Sequence, residues 1–570
     1  MKKVIISAFA LTLTLSLSGC ASKDSGSSNT TSPAPSSSST QTPVQKGPFA
    51  KYDKTVEFTA VMGVNQDPKF PAGQSYENNP FLNFVQDTLN VKQKLLWTAP
   101  TDGEQYFKKL SISFASGDLP DIFSIDTDKA PALLKQLIDA GQIEDLTQVY
   151  KDYASDDVKK NFELGQNNAL NSATFGGKLM AIPNSSDAAQ TNVIWVRQDW
   201  LDKQGLKPPQ TLDDLRAIAK AFATGDPDGN GKNDTVGLSV AGVNSLTAPS
   251  GSMHSLDVIF NYFNAYPSIW LKDKDGKLVW GGVQPEVKDA LAVMADMFKN
   301  KELDPEFGVK DNGKTTADLG AGKSGLVFQP WWAPLYPLGN TLQNNPNANW
   351  KAYSLPGKDG KIHATFDKLA TQYLVVKKGF KNPELAVKLA NLSTAMKMNK
   401  YPDISKKRLE DYSAASSSAQ WGFVGGGAQV IDPFTVESTQ KKITDVIGGK
   451  LDVSKLDQEE KSIYDKIKKF EPNVGKPVAK ELVPDWQQHA AWMYGLAPTT
   501  KTPTSIIYNG FNGTTDSMSK NWTSLQDLTK ESYLKIIMGR EPISYFDTFV
   551  KRWNEMGGEA ITKEVQNYKQ

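Results

Sequence analysis

The sequence predicts an α/β protein with at least two domains. Short β-rich segments alternate with amphipathic helical segments, and this alternation is typical of mostly parallel sheets flanked by helices. The body that follows the N-terminal region is about 520 residues long, which is more than one hydrophobic core contains. No repeat with a period of about 20 to 50 residues is visible, so solenoids and propellers are not expected.

The first part of the body is predicted to alternate strands with helical stretches. Runs of β-branched and aromatic residues predict the strands, and apolar residues at helical spacing predict the helices. A break at residues 117–120 precedes the third strand. In chain order, we expect a strand at Val56–Val64, a helix at Pro80–Leu89, a strand near Leu95, an apolar stretch at residues 105–115 and a strand at residues 121–125.

The middle and the end of the body continue this alternation. A strand is predicted at residues 192–197, and a short helix at residues 199–204 ends at Gly205. Thr211 with Asp214 three positions later is the pattern of a helix start, because both side chains can bond free backbone amides. The later elements are an amphipathic helix at Pro285–Lys299, a strand at 324–328 and, in a mostly helical final third, helices at 525–538 and 543–556.

The chain begins with the features of a secretory signal peptide. Lys2 and Lys3 precede an apolar run at residues 4–17, which is shorter than the roughly 20 residues that cross a bilayer. Cys20 is the single cysteine, and the sequence LSGC that it completes resembles a bacterial lipobox. We expect residues 1–19 to be removed and Cys20 to carry lipid. The alternative is an ordinary signal peptide with an incidental cysteine.

Composition limits the classes of function. Residues 21–46 are mostly Ser, Thr, Pro, Gln and Gly, so they are predicted to form a disordered tether. The 64 basic and 63 acidic residues nearly cancel, which removes the electrostatic basis for binding nucleic acid. One cysteine excludes an internal disulfide framework. The 13 Trp and 18 Tyr residues are numerous enough for some to face a ligand, although most are expected to fill the core.

Several separated blocks carry a family likeness. The chain resembles the extracellular solute-binding proteins of ABC importers, in particular the large lipoprotein subgroup linked to uptake of complex carbohydrates. The blocks follow the family's order across nearly the whole mature chain. They are ASGDLPDI at residues 115–122, IWVRQDWL at 194–201, GLKPPQTLDDL at 205–215, GKSGLVF at 322–328 with Trp331 and Trp332, and KIIMG at 535–539 followed by Phe546, Asp547, Gly557 and Gly558.

The resemblance implies a two-lobed, type II periplasmic-binding-protein-like fold whose lobes close on a sugar. The N-lobe would comprise residues 47–183 and about 370–410, and the C-lobe residues 190–365 and about 416–570, with a helical C-terminal region. The chain would cross between the lobes near residues 184–191, 364–372 and 407–416. The protein would be a monomer, held to the outer face of the cell membrane by lipid alone, which delivers an oligosaccharide to ABC permease subunits and their ATPase.

The sequence DPDGNGKND at residues 226–234 predicts a structural calcium site. Calcium binds hard oxygen ligands, and the loop supplies the side chains of Asp226, Asp228, Asn230 and Asp234 with the carbonyl of Lys232. Some relatives in the family hold calcium in a similar loop. The twelfth position, where an EF-hand carries glutamate, is Gly237, so a further ligand must come from water or another segment. The alternative is a solvated turn.

Aromatic and polar side chains at predicted strand ends are the candidate sugar contacts. Indole and phenol rings can pack on pyranose faces, while hydroxyls, amides and carboxylates bond sugar hydroxyls. Each aromatic candidate could equally be core packing. The candidates are Trp331 and Trp332, which the family places at the sugar, together with Trp270, Trp421, Tyr262, Tyr266, Ser116, Asp126, Asn184 and Ser185.

No catalytic constellation is apparent, so we do not expect an enzyme. The three histidines are isolated, and the sequence contains no zinc-protease, nucleophile-elbow, Walker or dinucleotide-binding motif. Two carboxylates suffice for a glycosidase, however, so a secreted glycoside hydrolase remains the first alternative. A peptide-binding or adhesive lipoprotein is the second.

Overall fold

A computed structural model of the chain describes residues 47–64, 69–100, 105–126, 130, 132–185, 191–367, 370–414 and 428–568. The predicted signal peptide, Cys20, the tether and Trp421 lie outside the described residues. Within those ranges, no helix has both the length and the apolar character that crossing a membrane requires.

The first group of elements has boundaries that local sequence explains. Asn79 caps the first helix by accepting hydrogen bonds from the backbone N–H groups of Phe81 and Leu82, and Pro80 occupies the first turn, where its missing N–H costs nothing. The elements are β1 (Val56–Val64), α1 (Pro80–Leu89), β2 (Val91–Pro100), α2 (Gln105–Ser116), β3 (Ile122–Asp126), α3 (Leu133–Asp139), α4 (Thr147–Tyr153), α5 (Asp156–Leu164), α6 (Asn168–Ser172), β4 (Thr174–Phe175), β5 (Lys178–Leu179) and β6 (Ile182–Pro183).

The second group opens with the strand and helix pair that the sequence predicts. Thr211 and Asp214 form the expected capping box, and Gly205 ends the preceding helix in the left-handed conformation. The elements are β7 (Val193–Arg197), α7 (Gln198–Gln204), α8 (Leu212–Thr224), β8 (Val236–Ser239), α9 (Asp257–Tyr262), β9 (Trp270–Lys272), β10 (Leu278–Trp280), α10 (Pro285–Lys299), α11 (Asn312–Gly320), β11 (Ser324–Gln329), α12 (Gly339–Asn344), β12 (Trp350–Tyr353) and β13 (Ile362–Phe366).

The third group is mainly helical, as predicted, and contains two strands. The strand at residues 504–508 pairs in parallel with β13 and is absent from the sequence-based prediction. The elements are β14 (Gln372–Val376), α13 (Glu384–Lys397), α14 (Pro402–Ala414), α15 (Thr435–Ile447), α16 (Gln458–Phe470), α17 (Val483–His489), α18 (Ala497–Lys501), β15 (Thr504–Tyr508), α19 (Asp516–Ile537), α20 (Tyr545–Trp553) and α21 (Glu559–Gln566).

Two sheets organise the α/β fold, and both are mixed, where mostly parallel sheets were expected. The first has the order β2-β1-β3-β14-β6, and the second has the order β12-β7-β11-β8. In the first, β1 pairs in parallel with β2 and β3, whereas β14 is antiparallel to both of its neighbours. The chain enters β14 at the edge of the sheet where β3 ends, because Gln372, the first residue of β14, pairs with Asp126, the last residue of β3. The two strands therefore run in opposite directions.

Each sheet has its own hydrophobic core. The first core gathers residues from β1, β3, β14, α5 and α13, and includes the fully buried Phe123. The second gathers residues from β7, β11, α8, α10 and α19, and includes Phe222 and Phe328. Two smaller clusters join the second sheet to α15, α16 and α17. These separate cores account for the two-lobed architecture, because one core does not extend efficiently through so many residues.

The described chain after residue 427 begins in the first core. Ala428 and Val430 are buried there, and the Asn161 amide donates a hydrogen bond to the carbonyl of Val430 at 2.7 Å. The predicted crossing near residues 407–416 lies partly outside the described residues and stays a prediction.

Two buried histidines should make stability depend on pH. Burial lowers the pKa of His254 to about 4, and burial followed by the positive charge of Lys351 lowers the pKa of His489 to about 4. A histidine in the unfolded chain has a pKa of about 6.5. Between about pH 4 and pH 6.5 the unfolded chain therefore binds protons that the folded chain excludes. The expected result is a free energy of unfolding that falls by a few kcal/mol as pH decreases from 7 towards 4.

Melting curves across this pH range test the prediction. The variant His254→Gln should show a shallower fall of melting temperature with decreasing pH than the unsubstituted protein, because glutamine does not titrate in this range. His489→Gln tests the second site in the same way. Identical pH slopes in all three proteins would assign the acid sensitivity to carboxylates.

Candidate ligand-binding cleft

Asn184, at the start of the predicted crossing at residues 184–191, is hydrogen-bonded to the predicted crossing at residues 364–372. Its Oδ1 accepts hydrogen bonds from the backbone N–H groups of Thr371 at 2.9 Å and Gln372 at 3.0 Å, and its Nδ2 donates to Thr371 Oγ1 at 3.1 Å. Its backbone N–H also donates to the carbonyl of Gln372. The side chain thus holds the end of β6 against the start of β14.

Ser185, the next residue, is hydrogen-bonded to Ile431, in the segment that follows the predicted third crossing. Its Oγ donates to the carbonyl of Ile431 at 2.9 Å and accepts from the N–H of Ile431 at 2.7 Å. Asn184 and Ser185 were predicted to contact a sugar, and their polar groups are instead bonded to the hinge backbone. Their described function is to keep three chain segments in register, and direct contact with a ligand stays a prediction.

A cavity of about 450 Å³ lies beside these crossings. This volume is within the range of about 300–1,000 Å³ that is usual for small-molecule sites. Among the predicted site residues of the described ranges, only Trp331 lines it. The described residues of its lining are Thr191, Val193, Pro330, Trp331, Ala364, Phe434, Val436, Glu437, Leu496, Thr499, Thr500, Lys501, Thr502, Pro503, Thr504 and Ile506.

Trp331 is held firmly at this cavity. It follows β11, and the indole N–H of Trp195 donates to the carbonyl of Pro330 at 3.1 Å. Its ring packs edge-on against Trp492, with 4.9 Å between ring centroids. Gly495 packs against its backbone so closely that a Cβ there would lie 2.1 Å from the Trp331 carbonyl oxygen. The indole is therefore a half-buried, preorganised surface beside polar side chains.

The other described aromatic candidates differ in their surroundings. Trp270 is only 3 % exposed and packs against Trp522 and Trp280 in the second core. This is the core-packing alternative considered for it, and contact with a sugar stays a prediction. Tyr262 is half-buried against Phe263, and Trp332 is half-buried outside the lining of the cavity.

Tyr266 is buried with its hydroxyl engaged. The hydroxyl lies 3.0 Å from His363 Nδ1 and donates to Asn264 Oδ1 at 3.2 Å. Burial raises the pKa of Tyr266. The hydroxyl of Tyr266 is therefore bonded within the protein, and its contact with a sugar stays a prediction.

Ser116 and Asp126 lie at opposite ends of β3. Asp126 is the last residue of the strand and pairs with Gln372 at the edge where the chain crosses between the lobes. Ser116 ends α2, before the strand begins, and its hydroxyl donates to the Ser113 carbonyl at 3.2 Å. A five-residue strand spans about 13 Å, so Ser116 lies at the end of β3 away from Asp126, and its contact with a sugar stays a prediction. Sequence proximity to β3 did not reveal which end it occupies.

A buried carboxylate fixes the start of the second lobe. Asp257 accepts hydrogen bonds from the N–H groups of Gly251 at 2.8 Å and Asn192 at 3.1 Å, and from the Asn192 amide at 2.8 Å. Burial raises the pKa of Asp257, and the backbone donors oppose this by stabilising its charged form. Asn192 immediately follows Thr191 of the cavity lining, so this network positions the cavity wall.

The predicted calcium loop is closed by its own side chains. The Asp226 carboxylate accepts from the N–H groups of Gly229, Asn230 and Gly231, each at 3.1 Å. The Asn230 amide donates to Asp228 at 2.7 Å and to Asp234 at 3.0 Å. In the described part of the chain, no three His, Cys, Asp or Glu side chains are grouped closely enough to hold a metal.

The donor chemistry of this loop nevertheless suits a hard cation. The Asn230 amide holds the carboxylates of Asp228 and Asp234 close together, and its oxygen accepts from the Lys232 N–H at 2.7 Å, so the loop gathers several hard oxygen donors in one turn. Position 237 cannot carry the glutamate of an EF-hand, because a Cβ atom there would lie 2.3 Å from the carbonyl oxygen of Glu302. Packing of β8 thus explains the departure from the EF-hand pattern.

Comparison with known families decides the identity of the fold. The profile of the family described as bacterial extracellular solute-binding protein matches residues 97–400, more than half of the 570-residue chain. The chain belongs to this family. The match begins within β2 and ends after α13, so it includes the whole second sheet and the strands β3, β6 and β14 of the first.

Curated relatives share parts of this solute-binding protein. It is 29% identical over 267 residues to lipoprotein LipO of Bacillus subtilis (strain 168), an alignment that covers 47% of this chain and 49% of the relative. It is 27% identical over 244 residues to the polygalacturonan/rhamnogalacturonan-binding protein YtcQ of the same organism, covering 43% and 45%. The chain thus spans about half the length of the curated relatives that it matches.

Solved structures extend the likeness over the whole fold. The S. pneumoniae ABC-transporter substrate-binding protein FusA, in complex with kestose, has a TM-score of 0.56 with 18% identity, covering 90% of this chain and 98% of that one. An EF-hand mutant of FusA with fructo-nystose gives a TM-score of 0.55. At this identity the likeness establishes the fold alone, which is the two-lobed solute-binding fold expected from the sequence.

Proposed function

We propose that this solute-binding protein captures an oligosaccharide in the cavity beside its hinge and delivers it to an ABC permease. The observation that carries the proposal is the placement of Trp331, a rigid half-buried indole, in a cavity of about 450 Å³ with a mostly apolar lining that also contains hydroxyl groups. The choice of carbohydrate is supported by two relatives, the polygalacturonan/rhamnogalacturonan-binding protein YtcQ and the fructooligosaccharide substrate-binding protein FusA.

The binding mechanism follows from the geometry. A pyranose face would pack on the Trp331 indole, and hydroxyl, ammonium and carboxylate groups of the lining would bond its hydroxyls. Ligand that contacts both lobes favours the closed state by its differential affinity for that state. The three crossings tied by Asn184 and Ser185 would then act as the pivot.

The chain would act as a receptor that leaves its ligand intact and stays at the cell surface. Lipidation of Cys20 is supported by its position after the apolar leader and by the likeness to lipoprotein LipO. A permease with its ATPase would be the partner at the membrane. A single lipid-bearing tether would keep the receptor close to that permease.

Titration calorimetry with a panel of oligosaccharides tests the function, with product analysis of every mixture. Saturable heat with intact ligand supports a receptor. Ligand that is cleaved with turnover would favour a glycoside hydrolase, and heat with peptides alone would favour a peptide-binding lipoprotein.

A second proposal concerns calcium. The side chains of Asp226, Asp228, Asn230 and Asp234, with the Lys232 carbonyl, would hold one calcium ion that stiffens the turn between α8 and β8. The EF-hand named for FusA supports the assignment. The ion would be structural, because no reacting group lies in the loop.

Calcium should therefore raise the melting temperature. At a concentration about 100-fold above the dissociation constant, binding adds about 2.7 kcal/mol of stability, which corresponds to a rise of several degrees. Addition of EGTA should remove this rise, and Asp226→Ala should abolish it. Asp213→Ala, at an exposed position of α8 outside the loop, is the matched control and should retain the rise in melting temperature. Equal melting temperatures with calcium and with EGTA would leave the loop as a simple turn.

A further inference from the structure

Two paired strands form an apolar wall of the hinge cavity, which is the space of about 450 Å³ beside the crossings between the lobes. β13 and β15 run in parallel, with Ala364 opposite Ile506. Successive side chains of a strand point to opposite faces. Ala364, Thr504 and Ile506 line the cavity, whereas the neighbouring residues Ser505 and Ile507 do not. This alternation directs the methyl groups of Ala364 and Ile506 towards the space that a ligand would fill.

Helix α15 supplies a second apolar wall. Val436, which lines the cavity, lies one turn before Gln440, so the two side chains share a face of the helix. Gln440 donates to the carbonyl of Trp492 at 3.1 Å, and the ring of Trp492 packs on Trp331. That face of α15 is thus turned towards the indole at the cavity. Nine of the sixteen described lining residues are apolar, and the one lysine and one glutamate among them leave no net charge.

Most threonine hydroxyls of the described lining are already bonded within the protein. Thr499 and Thr500 donate to the carbonyl of Leu496 at 3.0 and 3.1 Å, so only their lone pairs are left for a ligand. Two more of the five lining threonines have polar partners, and they are Thr191, bonded by Asn261, and Thr502, beside Ser354. A hydroxyl that leaves water without a partner is costly. A bare sugar, which has a hydroxyl on most ring carbons, would therefore find few partners here.

We propose that the hinge cavity is selective for oligosaccharides that carry small O-acyl groups, such as acetyl esters. The inference rests on the proposed function, because it names the class of carbohydrate taken by the same cavity. Acylation removes a sugar O–H donor and adds a methyl group, which would pack on Ala364, Val436 and Ile506 while the sugar ring lies on Trp331. The ester group is uncharged, in keeping with a lining that has no net charge.

Titration calorimetry on the full mature protein tests this selectivity with matched ligand pairs. Each oligosaccharide of the panel is offered in its free form and in an O-acetylated form, and alkaline removal of the esters regenerates the free form as a control. Burying one methyl group should raise the affinity about 4-fold, so a glycan with two buried acetyl groups should bind at least about 10-fold more tightly than its free form. The readout is the ratio of the two dissociation constants.

Substitutions in the two apolar walls locate the site of the acyl group. Val436→Thr and Ile506→Thr each introduce a hydroxyl where a methyl group would meet the acyl group, so each should reduce this ratio several-fold. Val309→Thr, at a position that is 79% exposed and outside the cavity lining, is the matched control and should keep the ratio. Melting temperatures of the variants verify that each is folded.

The outcomes separate this inference from the proposed function. If free glycans bind as tightly as their acetylated forms, or if both wall variants keep the full ratio, the acyl selectivity is refuted while the receptor function stands. If neither form of any glycan binds, both fail. A preference for acetylated forms that falls in the wall variants and persists in Val309→Thr supports the inference.

Discussion

Replacing Trp331 by alanine is expected to weaken oligosaccharide binding about 100-fold while the protein stays folded. Buried aromatic anchors at binding sites commonly contribute about 2–4 kcal/mol, and about 2.7 kcal/mol corresponds to a 100-fold change. The ring is preorganised by Trp492 and by the bond between the Trp195 indole and the Pro330 carbonyl. The free protein therefore loses little side-chain freedom on binding. Titration calorimetry measures the effect.

The neighbouring indole provides the control for this prediction. Trp332 has the same side chain one position later but does not line the cavity, so Trp332→Ala should change affinity much less. Gly495→Ala offers an independent test, since the added methyl group would push the Trp331 backbone away. Unchanged affinity in Trp331→Ala would show that the ligand binds elsewhere.

Removing the carboxylate of Asp199 is expected to destabilise the protein by about 3–5 kcal/mol. Asp199 accepts two hydrogen bonds from the Arg197 guanidinium, at 2.8 and 2.5 Å, and the Arg197 side chain is only 2% exposed. Asp199→Ala would leave a buried cation without its counter-charge, which costs about this much in comparable sites. It would also remove the acceptor of the Asn349 N–H bond at 3.1 Å. Thermal and denaturant unfolding measure the loss.

A double variant separates the buried charge from other effects. Arg197→Met combined with Asp199→Ala removes both charges, so it should recover part of the loss, although the contact of the guanidinium with Trp200 at 4.8 Å is also removed. Asp202→Ala lies on the same helix at an exposed position and should cost less than about 1 kcal/mol. A cost for Asp199→Ala as small as that of the control would contradict the argument.

The helices and strands that were predicted correctly are those whose residue patterns are local to the element. The strand at Val56–Val64 has the predicted boundaries because it is rich in β-branched and aromatic residues. The helices at Pro80–Leu89 and Pro285–Lys299 also have the predicted boundaries, because a proline occupies the first turn of each. The capping box at Thr211 is confirmed as well. The direction of β14 and the presence of β15 depend on partners far away in the chain, and no local pattern encodes them.

The candidate site was predicted less well than the fold. Tryptophan has the same identity in a core as in a cavity, so Trp270 and Trp331 could not be distinguished until their neighbours were known. The hinge contacts of Asn184 and Ser185 were also invisible, since their partners lie more than 180 residues away.

The position of β14 in the first sheet constrains how this protein can be made. The strand lies between β3 and β6, yet it is synthesised only after every strand of the second sheet. During translation, the first sheet therefore remains without the strand that connects β3 to β6 until residue 376 has emerged. Folding dominated by such distant pairings is slow. A chaperone that keeps the emerging chain from aggregating would matter most for this protein during that interval.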